Sequence, residues 1–158
     1  MNLAEVLLPM QSTKPNDDFQ YIDIAAIDNV KHSISQPKFV KLENAPSRAT
    51  RKLDSGDILF SLVRPYLENV AIIYSEYAKG VASTGFYVCR PRPYIRTEFL
   101  YYFLLTPYLI NGVVKFIKGD NSPSIKNYVL ESMLIGLPPL SKQDKIISKI
   151  KTLLAQIN

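Results

Sequence analysis

The sequence predicts an α+β fold: a twisted, largely antiparallel or mixed β-sheet with packed helices, followed by the start of a long coiled-coil helix. Apolar and β-branched runs separated by turn residues fill roughly the first 90 residues, which is typical of strands. From Thr97 the apolar residues recur at helical spacing instead. The chain of 158 residues is long enough for one domain and too short for two comfortable ones.

The first half of the chain is expected to be mainly β. A short helix is predicted over residues 2–10 and a strand with one buried face over residues 19–25. Residues 29–54 are polar and contain two prolines, so they form either a functional loop or short strands. Runs at 58–63 and 70–74 predict two neighbouring strands, and residues 81–89 predict a third that ends at the following prolines.

The second half is expected to be mainly helical. Thr97 is positioned to cap a buried helix, and Thr106-Pro107 restarts a second helix that ends at Gly119. We expect the second helix to turn a set of apolar residues inward: Leu109, Val113, Phe116 and Ile117. A short strand is predicted over residues 133–137.

The last segment has the clearest local pattern. Ser141 and Asp144 resemble a capping box at the start of a helix. Four apolar residues at 4-3-4 spacing follow and predict a coiled-coil seam: Ile146, Ile150, Leu153 and Ile157. The alternative is a terminal helix that packs on its own domain. We therefore expect a domain over residues 1–140 and the start of a spacer or dimerisation helix over 141–158.

Composition narrows the class of protein. Hydrophobic residues make up 47% and charged residues 21%, as in an ordinary globular protein. No apolar run approaches the roughly 20 residues of a membrane span, and no signal peptide is recognisable. A single cysteine, Cys89, indicates a cytoplasmic setting, and on its apolar strand it is expected to be buried. One cysteine and one histidine, His32, cannot form a structural zinc site, so we expect no metal and no cofactor.

The positive charge is concentrated in the second half. Residues 1–76 carry eight basic and ten acidic side chains, a net charge of −2. Residues 77–158 carry eleven basic and four acidic side chains, a net charge of +7. This asymmetry favours a polyanionic partner such as nucleic acid, although many proteins of net charge +5 have none.

Catalytic motifs are missing from the sequence. The six glycines form neither a dinucleotide-binding fingerprint nor a phosphate-binding loop. A solvated loop position is as good an interpretation of His32 as a catalytic one, and Asp17-Asp18 is interpreted as a solvated turn. We therefore expect a protein that is not an enzyme by itself.

Basic, polar and aromatic residues instead collect at the ends of predicted elements. Arginine, asparagine and glutamine can read base edges, while lysine and serine commonly hold phosphates. The candidate DNA-binding residues, several of them in the basic half, are Arg48, Arg51 and Lys52 in the long polar segment, Arg64 and Tyr66 near the strand connection, and Lys115, Lys118, Asn121, Ser122, Ser124 and Lys126 around Gly119.

The chain resembles the target-recognition domains of type I restriction–modification specificity subunits. The segments that carry the resemblance occur in the family's order over nearly the whole chain: residues 21–24, 56–61, 64–67, 82–88 with Arg90-Pro91, Tyr101-Tyr102, Gly119, Pro123, Ile125, and 135–140 with Gln143 and Lys145-Ile146. The chain departs from the family in having no tryptophan near its start and Lys142 where glutamate is common.

The resemblance implies a non-catalytic reader of double-stranded DNA. Such a subunit directs adenine methylation and restriction by a modification subunit and a restriction subunit, and its long helices separate two recognition domains. This chain has one such domain, so the resemblance implies a half-subunit that pairs with a second copy, a truncated relic, or a piece that lacks its second half. Two alternatives remain open: a protein-interaction module for a modification subunit, and an RNA-binding domain.

Overall fold

The computed structural model describes residues 1–158 and contains ten strands and five α-helices. In chain order these are α1 (Leu3–Val6), β1 (Leu7–Leu8), β2 (Phe19–Ile22), β3 (Ile27–Asp28), β4 (Ser33–Ile34), β5 (Lys38–Val40), β6 (Ala49–Lys52), β7 (Ile58–Ser61), β8 (Val70–Ile72), β9 (Val81–Ser83), β10 (Phe86–Pro91), α2 (Thr97–Leu104), α3 (Pro107–Val114), α4 (Asn127–Glu131) and α5 (Leu140–Ile157).

The strands form two four-stranded sheets and one small pair. The central sheet has the order β1-β10-β7-β8, the outer sheet has the order β5-β2-β9-β6, and β3 pairs with β4. Every pairing is antiparallel except β2 with β9, which is parallel. The predicted α+β class with a mixed sheet is confirmed, and the expected adjacent pair formed by β7 and β8 is present.

The central sheet is buried on both faces. On β7, Ile58 and Phe60 face a 19-residue core that includes the apolar sides of α1 to α4. The intervening Leu59 faces a second core of 10 residues, which the outer sheet completes through Ile22 and Ala82. A strand covered on both faces reads as a continuous apolar run, and this explains why β7 is recognisable in the sequence.

The predicted single strand over residues 81–89 is wrong, because it is two strands in different sheets. β9 belongs to the outer sheet and β10 to the central sheet. The chain crosses between them at Thr84-Gly85, where the Gly85 N–H donates to Ser83 Oγ at 3.1 Å. The crossing is invisible in the sequence because both strands are apolar on both sides of the turn. Cys89 is fully buried on β10, as expected.

Two other predictions for the first half require correction. The expected helix over residues 2–10 ends after four residues, because Leu7 and Leu8 pair with Arg90 and Pro91 in the central sheet. The strand predicted over 19–25 ends at Ile22 and continues as a 3-10 turn. For the polar stretch 29–54 the second alternative, short strands, is confirmed, because it contains β4, β5 and β6.

The helical half is closer to expectation. α3 begins as predicted, with Thr106 Oγ1 accepting the Leu109 N–H at 3.3 Å. Thr97 does not cap α2; Arg96 is the capping position, and the Thr97 hydroxyl donates to the Gly56 carbonyl. The predicted end of the second helix at Gly119 is wrong, because α3 ends at Val114; Phe116, which the apolar spacing places inward, therefore lies beyond the helix and is exposed. The strand predicted over 133–137 is wrong, since only one bridge forms there, and α4 was not foreseen.

The terminal helix α5 is anchored to the domain at its first turn. Pro139 is the capping position, so the Ser141–Asp144 capping box is wrong, and Asp144 instead pairs with Arg96. Gln143 is fully buried. Its Oε1 accepts the Arg96 N–H at 2.8 Å, and its Nε2 donates to the carbonyls of Tyr94 and Pro138.

The coiled-coil seam divides into two parts along α5. Ile146 and Ile150 are half-buried in the part of the helix that packs on the domain, where α5 contacts α2. Leu153 is 50% exposed and Ile157 is 79% exposed. The first part thus follows the alternative of packing on its own domain, while the second part remains uncovered. None of the five helices combines the length and the apolar composition that a membrane span requires.

Candidate nucleic-acid interface

The loop that follows β7 holds Arg64 and Tyr66 in a fixed conformation. Arg64 and Glu68 both adopt left-handed backbone angles, with φ of 45° and 57°, on either side of a 3-10 turn. Such conformations cost on the order of 1–3 kcal/mol each and persist where the surroundings enforce them. Here the Asn29 side-chain amide donates to the Leu67 carbonyl at 2.8 Å. The loop thereby presents Tyr66 to solvent.

A second loop carries the candidate residues around Gly119. Lys118 and Ser124 exchange both backbone hydrogen bonds, at 3.0 and 2.9 Å, and close the segment into a tight turn. Gly119 has φ of 97°, which a side chain would strain. Lys118, Asn121 and Ser122 are exposed on this turn, and Lys126 is exposed just after it.

The two loops are hydrogen-bonded to each other. The Arg64 N–H donates to the Pro123 carbonyl at 2.8 Å, and the Ile125 N–H donates to the Leu62 carbonyl at 2.9 Å. The Arg64 guanidinium also donates to the Asn121 carbonyl at 3.3 Å. Its remaining N–H groups have no partner within the chain. Arg64 is therefore positioned by the second loop while most of its hydrogen-bonding capacity stays available.

Arg48 joins the same region through the turn between β9 and β10. Its Nε donates to Thr84 Oγ1 at 3.2 Å, and its carbonyl accepts the Thr84 N–H at 3.0 Å. On the other side of this turn, the Leu62 N–H donates to the Gly85 carbonyl at 2.8 Å. We call the resulting exposed edge the loop surface; it comprises Arg48, Arg64, Tyr66, Lys118, Asn121, Ser122, Ser124 and Lys126.

Three candidate residues lie outside the loop surface. Arg51 and Lys52 are not in a loop but on β6, where they pair with β9, and the Lys52 N–H donates to the Gln11 carbonyl at 3.0 Å. Arg51 is half-buried, and its Nε is buried without a hydrogen-bond partner. Lys115 is exposed at the end of α3.

Two exposed aromatic residues lie beside the loop surface and are absent from the candidates that the sequence indicates. Phe116 and Tyr128 are 56% and 63% exposed, and with Lys118 and Lys126 they line a cavity of about 250 Å³. Phe116 continues the apolar spacing of α3, so the sequence pattern assigned it to the core. The signal that could have identified both rings is that they flank a polar, basic loop rather than an apolar segment.

The other polar residues buried near the central sheet have structural partners. Arg90 donates two hydrogen bonds to Asp57, at 2.8 and 2.7 Å, and Asp57 is only 1% exposed. This hydrogen bonding raises the pKa of Arg90, and the pair fastens β10 to the start of β7. Burial raises the pKa of the Cys89 thiol, which opposes formation of a reactive thiolate.

Comparison with known proteins identifies the family. Residues 8–158 match the model of the type I restriction modification DNA specificity domain. The chain belongs to this family. Its resemblance to the specificity subunits, drawn above from ordered sequence segments, is thereby confirmed.

Relatives show how much of a full subunit the specificity domain occupies. The chain is 27% identical over 114 residues to the type I restriction enzyme EcoDI specificity subunit of Escherichia coli, and the match covers 72% of this chain and 24% of that protein. The HsdS subunit of Thermoanaerobacter tengcongensis has a crystal structure that superposes with a TM-score of 0.90 at 33% identity, covering 99% of this chain and 42% of that one.

A second solved structure gives the same values. It addresses complex assembly and conformational transition of the type I R-M system, and it also superposes with a TM-score of 0.90 at 33% identity. The chain thus spans less than half the length of these relatives, whereas almost all of it has the fold of a specificity subunit segment.

Proposed function

We propose that this specificity domain recognises a short sequence in double-stranded DNA as part of a type I restriction–modification specificity subunit. The observation that carries the proposal is the loop surface, where hydrogen bonds bring together basic and polar residues from distant parts of the sequence. Arg64 and Asn121 are 57 positions apart, yet the side chain of one is bonded to the backbone of the other. Family membership favours DNA over RNA as the partner.

The candidate residues are proposed to have different roles. Arg64 presents a guanidinium fork that can bond a guanine edge in the major groove, and its left-handed backbone and its bond to Asn121 hold the fork in place. Lys118 and Lys126 are flexible point charges that suit phosphates. Arg48 is bonded to Thr84 and positions the turn behind Arg64. Arg51, which is half-buried on β6, fits direct contact least well.

The chain itself is proposed to be non-catalytic. Its one cysteine is fully buried and its thiol pKa is raised. Methylation of adenine and restriction of the DNA would then be carried out by a modification subunit and a restriction subunit in complex with this chain.

The free part of α5 is proposed to bind another helix. Leu153 and Ile157 continue the apolar stripe beyond the part of α5 that packs on the domain, and isolated exposed seams of this kind are stabilised by a partner helix. The partner would be a second copy of this chain, the second half of a subunit, or a helix of the modification subunit. In this arrangement residues 1–140 read DNA and residues 141–158 begin the spacer.

Selection from a randomised DNA pool tests the recognition function. The full chain, alone and with its modification subunit, is expected to enrich one sequence and to bind it more tightly than a scrambled duplex or the RNA duplex of the same sequence. Enrichment of no sequence, with tight binding to the modification subunit, would instead support the protein-interaction alternative. Preference for RNA would support the RNA-binding alternative.

Sedimentation tests the role of α5. Changing Leu153 and Ile157 together to lysine is expected to abolish association with the partner and leave the melting temperature unchanged, because both side chains are exposed in the free chain. The matched control places lysine at Ser148 and Thr152, which are exposed at other positions on the same helix. Loss of association in the control, or none in the seam variant, would contradict the proposal.

A further inference from the structure

A small cleft lies directly beside the loop surface. Its walls include Phe116 just beyond α3 and Tyr128 in the first turn of α4. Val129, which is almost completely buried, also contributes to the lining. We call this the aromatic cleft; it comprises Phe116, Lys118, Gly119, Ser122, Ser124, Lys126, Tyr128 and Val129. We propose that the aromatic cleft holds the sugar–phosphate backbone of the duplex that Arg64 reads. The inference rests on the proposed function and adds Phe116 and Tyr128 to it.

The two rings are large and uncovered, and they line the same cavity. Phe116 and Tyr128 are both more than half exposed, and neither packs against another aromatic ring. Nearby apolar residues such as Val113 and Val129 are buried in the core. Exposed aromatic surface beside a polar rim marks a binding surface more often than isolated exposed residues do. The rings therefore offer apolar contact area for a ligand.

The rim of the cleft is positively charged. Lys118 and Lys126 are exposed, Ser122 and Ser124 contribute hydroxyl groups, and none of the eight lining residues is acidic. The paired hydrogen bonds between Lys118 and Ser124 fix this rim in position. Lysines and hydroxyls around apolar rings match the chemistry of a nucleic-acid backbone, in which charged phosphates alternate with apolar sugar faces.

The cleft is adjacent to the residue that reads the base in the proposed function. The Pro123 carbonyl accepts the Arg64 N–H, and Pro123 lies between two of the lining residues, so a backbone hydrogen bond joins Arg64 directly to the cleft. The cleft contains no arginine, asparagine or glutamine, which are the side chains that form bidentate bonds with base edges. It is therefore suited to hold the backbone and not to discriminate sequence.

Binding measurements on ring variants test the inference. Phe116→Ala and Tyr128→Ala are each expected to weaken binding roughly fivefold, in line with the loss of one partly buried ring. The loss should be equal for the preferred and scrambled duplexes and should leave the salt dependence unchanged, since no charge is removed. Tyr128→Phe, which keeps the ring, is expected to bind as wild type. Phe39→Ala removes an exposed ring on β5 and serves as the matched control.

The outcomes separate this inference from the proposed function. Wild-type affinity in both alanine variants, while Arg64→Ala still loses preference for its duplex, would overturn the aromatic cleft and leave recognition intact. The inference would also be overturned if the alanine variants lost affinity only for the preferred duplex, or only for single-stranded DNA. Either result would mean that the rings contact bases. A wild-type chain that binds no duplex would overturn the proposed function and this inference with it.

Discussion

The central sheet with its packed helices and the loop surface at its edge are built in opposite ways. In the sheet, Ile58, Leu59 and Cys89 are completely buried, and the polar groups between them are paired, as Arg90 is with Asp57. The loop surface is exposed and charged, and its backbone is strained at Arg64. If the proposed function is right, stability resides in the sheet and specificity in the loops, so we expect changes in one to leave the other nearly unaffected.

The largest effect on stability is expected where the first turn of α5 is anchored to the domain. Gln143→Leu leaves the Arg96 N–H and the carbonyls of Tyr94 and Pro138 without their side-chain partner, so we expect a loss of roughly 3 kcal/mol or more in unfolding free energy. Chemical denaturation measures this loss. Asp144→Ala removes only an exposed ion pair from the same turn and should cost less than about 1 kcal/mol. Equal losses in the two variants would show that Gln143 is not the anchor.

A substitution inside the central sheet is expected to lower the unfolding free energy by less, and to leave DNA binding unchanged. Cys89→Ser places a hydroxyl at a fully buried apolar position, which should lower the unfolding free energy by about 1–3 kcal/mol. The preference for one duplex over another should not change. A variant that lost this preference at an unchanged melting temperature would place Cys89 in the binding site and break the division.

The smallest effects are expected from the lysines of the loop surface. Lys118→Ala and Lys126→Ala should each weaken binding about equally for all DNA sequences and lower the slope of log affinity against log salt by about one unit. Binding titrations at several salt concentrations measure this slope. Lys31→Ala, at an exposed lysine outside the loop surface, is the control and should leave the slope unchanged. A sequence-dependent loss at either lysine would assign that side chain to base reading.

The same division explains what the sequence could predict. β7 and β8 are recognisable because residues buried on both faces form continuous apolar runs, and α3 is recognisable from Thr106-Pro107. A continuous apolar run also conceals the crossing at Gly85, because the run continues from a strand of the outer sheet into a strand of the central sheet. The apolar spacing also gives the wrong prediction for Phe116, because the spacing continues beyond Val114, where α3 ends.

The exposure of the candidate residues was predictable one residue at a time, but their arrangement was not. Loop composition correctly indicated that Arg64, Lys118 and Lys126 would be exposed. That Arg64 bonds to the second loop depends on tertiary folding, which no local pattern encodes. Arg51 was misplaced for the related reason that a short strand in a polar segment lacks an apolar signal. The importance of Gln143 was equally hidden, since a buried polar residue is defined by partners distant in sequence.

The central claim is tested most directly by measuring two quantities on the same two variants. For Arg64→Ala and Cys89→Ser, one determines the unfolding free energy and the ratio of affinities for the preferred and scrambled duplexes. Arg64→Ala should reduce that ratio about tenfold or more at nearly unchanged stability, since alanine retains the Cβ that strains the left-handed backbone and only the exposed hydrogen bond to the Asn121 carbonyl is lost. Cys89→Ser should show the reverse. If Arg64→Ala instead lowers affinity equally for both duplexes, or destabilises the chain while preserving the ratio, the assignment of specificity to the loop surface is contradicted.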